Sequence, residues 1–85
     1  MKMAANITIK YCRPCGFARQ AERLAEEIRG QYAGRIDSVE VLPTDEIGSF
    51  EVSLEGKLFF SKKSSGRLPF PGEIEQELLK RMVNK

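Results

Sequence analysis

The 85-residue sequence predicts one α/β domain of two layers (α+β) spanning residues 1–85: a mixed four-stranded sheet of order 2-1-3-4 with both helices on one face. Three observations carry that expectation. Apolar and polar residues alternate in three short runs, a fourth run follows a tight-turn signal, and two longer runs repeat at helical spacing. Their order along the chain is β-α-β-β-β-α, without repeats or linkers. A chain of this size buries only about 60–68% of its unfolded surface, so its core is thin.

The first strand rests on Ile7, Ile9 and Tyr11 alternating with Thr8 and Lys10. Phe17, Ala21, Leu24 and Ile28 then recur at four, three and four residues, one stripe of a helix. Pro14 suits the helix start, where its missing N–H costs nothing. Gly30 and Gly34 signal an end near Arg29 or Gly30. A second strand covers Asp37–Leu42, with Val39 and Val41 on one face, and Pro43 stops it. Phe50, Val52 and Leu54 alternate with Glu51, Ser53 and Glu55, and Glu55-Gly56 turns the chain into a fourth strand, Lys57–Ser61. A loop rich in Ser, Gly and Pro runs over Ser64–Gly72, and Ile74, Leu78, Leu79 and Met82 give a final amphipathic helix. The first strand, helix and second strand form a right-handed parallel unit. Setting strand three antiparallel beside strand one then yields the layout of a reduced thioredoxin-like fold. The alternation leaves one polar face, so both helices are expected on the other.

Composition narrows the function classes. With 41% hydrophobic and 31% charged residues, the chain is neither a membrane span nor a disordered tail. No apolar run nears the ~20 residues needed to cross a bilayer, and MKMAANITIKYC lacks the ~7–15-residue apolar stretch of a secretory signal. A cytoplasmic protein with no membrane partner is the expectation. Fourteen Lys and Arg against twelve Asp and Glu leave +2, too even a balance for a nucleic-acid surface. The basic cluster of Lys57, Lys62, Lys63 and Arg67 beside Phe59 and Phe60 reads first as a solvated strand end. The sequence has no His, which removes Ser-His-Asp and Cys-His catalysis and every His-containing zinc site.

The two cysteines stand together as Cys12-Arg13-Pro14-Cys15, between the first strand and the first helix. In the 2-1-3-4 layout, Pro43–Ser49 must cross the end of strand one, spanning about 10 Å, and wall the cysteine site. Strand four brings Ser61, Lys62 and Lys63 to the same edge. Thiolate is the attacking species, so a reactive cysteine needs a depressed pKa. Helix N-terminal amides and Arg13 favour it, Asp45 and Glu46 oppose it, and Lys62 is mostly screened at ~8–10 Å. As a structural disulfide the pair is poor, because so short a loop removes little unfolded-state entropy. As a zinc site it supplies two of four ligands and needs a second chain. Redox chemistry fits the placement best.

Tyr11-Cys12-Arg13-Pro14-Cys15-Gly16, Gly48-Ser49-Phe50-Glu51-Val52, and Gly56-Lys57-Leu58 leading into Phe60-Ser61-Lys62-Lys63 resemble the selenoprotein W family, the Rdx group, in a bacterial cysteine-containing form. The resemblance covers nearly the whole chain, and the SFEV and FSKK blocks are more specific than C-x-x-C. It implies a thioredoxin-like fold and thiol redox chemistry, with glutathione as a partner. Selenoproteins of this family carry selenocysteine where this chain has Cys15, which implies slower peroxide chemistry here. Thioredoxins place a cis-proline just before strand three, where this chain has Gly48 and Ser49.

The sequence thus points to a thiol–disulfide redox protein. Cys12 and Cys15 are its catalytic pair, Arg13 and Pro14 tune and stiffen it, and Gly16, Gly48 and Ser49 shape access. Lys62, Lys63 and Arg67 are candidate partner contacts. No metal or built-in cofactor is expected, electrons coming from an external thiol such as glutathione; the partner is a thiol- or disulfide-bearing protein. Helix geometry favours Cys12 as the more exposed attacking sulfur, whereas the resemblance favours Cys15; the geometry is followed, and Cys12 is expected to attack. The alternatives are a redox-gated protein-binding module without turnover and a zinc-bridged dimer.

Overall fold

The computed structural model describes residues 6–32, 36–70 and 72–83. Strand β1 (Asn6–Cys12) leads to helix α1 (Ala18–Gln31) and strand β2 (Ser38–Thr44). Strands β3 (Phe50–Leu54) and β4 (Lys57–Ser61) follow, then a short helix α2 (Lys62–Ser65) and helix α3 (Glu73–Val83). The sheet order is β2-β1-β3-β4, with β1 parallel to β2 and antiparallel to β3, and β3 antiparallel to β4. This is the predicted thioredoxin-like arrangement.

The register explains the layering. Ile7, Ile9 and Tyr11 of β1 line up with Val39 and Val41 of β2 and with Val52 and Phe50 of β3, and Val52 lines up with Phe60 of β4. These residues share one face and meet Ala21, Leu24, Ala25 and Ile28 of α1 and Ile74 and Leu78 of α3 in one core. The opposite face carries Thr8, Lys10, Glu40, Glu51 and Ser53 and is left uncovered. Glu55 and Gly56 both take positive φ, 53° and 80°, as a type I′ turn requires, and this tight turn fixes the β3–β4 register. A bulge opposite Val52/Ser53 takes up one extra residue, Phe59, on β4.

Several boundaries differ from the sequence reading. β2 runs through Pro43 to Thr44, because β2 is an edge strand and the missing N–H of Pro43 interrupts no ladder there. α1 begins at Ala18, so Pro14 is not at its first turn, and it extends to Gln31. Gly34 lies outside the described residues. The first part of the expected loop is helical: the Ser61 side chain accepts from Ser64 N–H, and Gly66 N–H donates back to the Lys62 carbonyl, closing α2. In α3, Ile74 and Leu78 are buried as expected but Leu79 is exposed; the Met82 side chain lies outside the described residues.

Candidate functional site

The C-x-x-C segment forms its own turn. Arg13–Gly16 is closed by Gly16 N–H donating to the Arg13 carbonyl at 3.1 Å, and α1 starts only afterwards, with no side-chain cap at Phe17. Cys12 is the last residue of β1, and Cys15 lies in the turn. Their Cα atoms are 5.3 Å apart and the sulfurs are joined in a disulfide. The two sulfurs are not equivalent. Cys12 is 0% exposed, whereas Cys15 is only half-buried. The expectation that Cys12 is the more exposed is therefore reversed. Strand β1 carries Cys12 into the sheet ladder, with its N–H donating to the Ser49 carbonyl at 2.8 Å, and the turn lifts Cys15 outward.

The crossing segment walls the pair as the topology required. Arg13 N–H donates to the Thr44 carbonyl at 2.9 Å, and Gly48 N–H donates to Cys15 Sγ at 3.3 Å. Gly48 has φ +82°, a left-handed conformation that strains any residue with a Cβ, and this conformation aims its amide at the sulfur. The sequence marked Gly48 only as a shaper of access. Its role as sulfur donor was missed, because the aim of a backbone N–H depends on φ and ψ and leaves no signature beyond the glycine itself.

The charges around the loop are paired off. Arg13 donates to Asp45 Oδ1 at 2.7 Å, with both side chains largely exposed, so the guanidinium expected to activate the thiols is spent on the loop. Lys63 pairs with Glu46, and that hydrogen bond, with the Lys63 charge and a lesser effect of Lys10, holds the Glu46 carboxyl below its ordinary range. Lys62 Nζ lies 5.8 Å above the Phe17 ring, which itself meets Phe50 edge-on at 6.2 Å. Lys62 and Lys63 thus reach the cysteine edge through Phe17 and Glu46. Arg67 instead turns inward: it makes two hydrogen bonds to Glu73, at 2.7 and 2.9 Å, and its guanidinium lies 4.2 Å from the Phe70 ring centroid. Ser49 is 2% exposed, and its hydroxyl has no hydrogen-bond partner.

Chemically, the edge offers one reachable sulfur with an amide donor and one buried sulfur bonded to it. For a zinc bridge between two chains, the metal would have to reach Cys12, which is closed to solvent. Among the described residues there is no group of three or more His, Cys, Asp or Glu side chains able to hold a metal, and no helix long and apolar enough to cross a membrane.

Comparison with known proteins identifies the fold and the family. The crystal structure of a selenoprotein W-related protein from Vibrio cholerae superposes with a TM-score of 0.86 at 26% identity, covering 92% of this chain and 96% of that one. A Bordetella parapertussis structure has a TM-score of 0.85 over 91% of this chain and 96% of its own, at 21% identity, a likeness of fold alone. Migration and invasion enhancer 1 of Mus musculus is 32% identical over 80 residues, 93% of this chain, and that of Bos taurus is 34% identical over 70 residues, 81% of this chain. The chain spans 65% and 57% of the length of these two curated relatives. The model of the Rdx family matches residues 6–80, taking in both cysteines, the crossing loop and all four strands. The chain belongs to the Rdx family.

Proposed function

We propose that the protein is a thiol–disulfide redox protein in which Cys15 is the attacking sulfur and Cys12 the resolving one. The observation that carries this reading is the asymmetry of the pair: a half-buried Cys15 with the Gly48 amide on its sulfur, bonded to a Cys12 with no exposure. An amide aimed at sulfur favours thiolate over thiol, and only an accessible thiolate can attack a substrate disulfide. In the reduced protein, the Cys15 thiolate attacks one sulfur of a substrate disulfide. It forms a mixed disulfide and releases the other substrate sulfur as a thiolate. Cys12, having passed its proton to the substrate thiolate just released, attacks the Cys15 sulfur, closes the intramolecular disulfide and releases the second substrate thiolate. Two electrons pass from the pair to the substrate. Two equivalents of an external thiol such as glutathione return them, and become one disulfide. The substrate class is a disulfide-bearing protein, and the setting is cytoplasmic.

The exposed Ile47, 68% accessible and next to Gly48, gives a protein substrate an apolar contact beside Cys15. Lys62 and Lys63 flank the same edge, whereas Arg67 is tied to Glu73 and Phe70 while its side chain stays partly exposed. Equilibration in glutathione buffers with mass-spectrometric readout tests the reading. A two-electron couple between about −180 and −270 mV supports it, and failure to form the intramolecular disulfide overturns it. Brief iodoacetamide treatment of the reduced protein tests the roles: alkylation first at Cys15 is expected, and alkylation first at Cys12 reverses the assignment.

A further inference from the structure

On the helical side of the sheet lies a cavity of about 190 Å³ between α1 and the segment that enters α3. Its apolar walls are Leu24, Phe50, Leu68, Pro69 and Phe70, and its polar lining includes Glu27 and Glu75. Glu75 is 6% exposed, and its Oε1 is buried without a hydrogen-bond partner. A buried carboxyl oxygen without a partner costs free energy unless something occupies its lone pairs. Within this fold the neighbour it has is another acid, Glu27. The wall that holds Phe70 is itself fixed, since Arg67 stacks on Phe70 and is tied to Glu73, and Phe70 N–H donates to Glu73 Oε1 at 2.9 Å.

We propose that this cavity binds a primary ammonium group carried on a short apolar chain, with the Glu27 and Glu75 carboxylates as its counter-ions. Drug-sized ligands use pockets of about 300–1,000 Å³, so a cavity of this size suits a single amino-terminated chain. An ammonium group has three N–H donors and full charge, which a buried carboxyl whose hydrogen-bonding neighbour is a second acid lacks. Leu24, Phe50 and Leu68 would cover the methylene stem. Arg23 also lines the cavity but is exposed and, among the described residues, pairs with neither carboxyl; of the two acids Glu75 is buried and Glu27 stands at the exposed rim.

Burial raises the Glu75 pKa most, the hydrogen bond to its own backbone amide opposes that, and the hydrogen bond and charge of Glu27 raise it further. Ammonium binding favours the carboxylate, so it releases a proton from the pair, and affinity rises with pH through the Glu75 titration. The other charged or titratable groups facing Glu75 are Glu27 and Arg23 of α1, Tyr32, whose hydroxyl donates to the Glu75 carbonyl at 2.8 Å, and the paired Arg67 and Glu73.

Calorimetric titration of the full oxidised chain with n-pentylammonium tests the site, with n-pentanol as the neutral control. Saturable binding of the ammonium, no binding of the alcohol, and proton release seen as a dependence on buffer ionisation enthalpy are expected. Glu75→Gln should weaken binding roughly tenfold or more, as for a lost charge-assisted hydrogen bond. Glu27→Gln, at an exposed position that leaves the fold intact, should weaken it in the same direction. Comparable binding of pentanol, unchanged affinity in both variants, or no binding to the folded chain would each overturn the proposal. Nα-acetyl-lysine amide separates the sources: binding tighter than that of pentylammonium identifies a lysine side chain of a protein as the natural group, and weaker binding identifies a free amine. Because the disulfide stays closed throughout, a negative result bears on the cavity and leaves the redox assignment standing.

Discussion

Ser49, next to Phe50 in the chain, and Glu75, which lines a cavity with Phe50, each hold a buried oxygen with no hydrogen-bond partner among the described residues. Ser49 belongs to the loop over the cysteine pair, and Glu75 to the first turns of α3 above the cavity. Their consequences differ. The Ser49 hydroxyl cannot shed its polarity, so its desolvation, about 1–3 kcal/mol for such a group, weighs on the fold at every pH. The Glu75 carboxyl can take up a proton, so its cost depends on pH. The surroundings differ too: the cysteine edge is laced with exposed ion pairs, Arg13–Asp45 and Lys63–Glu46, whereas the cavity sets Leu24, Phe50, Leu68, Pro69 and Phe70 beside Gln20, Arg23, Glu27 and Glu75. The chemistry proposed at the edge depends on backbone direction, and the binding proposed at the cavity on a buried carboxyl.

Phe50 joins the two regions, touching Phe17 behind the cysteine turn and lining the cavity. Phe50→Ala is expected to have the largest effect, about 3–5 kcal/mol lost on unfolding in denaturant, together with faster alkylation of Cys12. A loss confined to stability, with Cys12 still shielded, would show that the two regions are independent. Gly48→Ala comes next. Forcing an alanine to φ +82° costs about 1–2 kcal/mol, and displacing the amide should slow Cys15 alkylation at neutral pH; an unchanged rate would remove Gly48 from the chemistry. Ser49→Ala is expected to raise stability by about 1 kcal/mol, equally at pH 5 and pH 8, because it removes an unpaired hydroxyl.

Glu75→Gln sharpens the contrast. Since the folded state raises the Glu75 pKa, the native protein binds more protons than the unfolded chain, and stability falls as pH rises from the ordinary carboxylate range through the raised value. The variant should match the parent in acid and exceed it above that range, with the gap constant at higher pH; a gap independent of pH would contradict the assignment. Glu46 and Glu73 work in the opposite sense. Their pKa values are lowered, chiefly by hydrogen bonds to Lys63 and Arg67, so what they contribute is present above the ordinary range and fades as pH falls. Lys63→Ala should have the smallest effect, a shift in thermal midpoint that disappears in high salt, because the pair is exposed.

The alternation of Ile7, Ile9 and Tyr11, the helical stripe of Ala21, Leu24 and Ile28, and the Glu55-Gly56 turn determined the sheet order and the buried face by themselves. Each is a local pattern whose period states which side is apolar. The Cys12–Cys15 spacing and its position after β1 likewise stated the chemistry, since the number of residues between two sulfurs is written in the chain. Only the tertiary structure decided which sulfur is reachable. Cys12 is shielded by the ladder and by the loop that ends at Ser49, and Gly48, 33 positions from Cys15, supplies the donor. It also decided that Arg13 pairs with Asp45 and Arg67 with Glu73, instead of facing substrate. The cavity was out of reach for the same reason: Glu27 and Glu75 are 48 residues apart, and each read alone is an ordinary helical carboxylate. Period and spacing are properties of neighbours in sequence, whereas burial and pairing are properties of neighbours in space, which exist only once the helices have closed over the sheet.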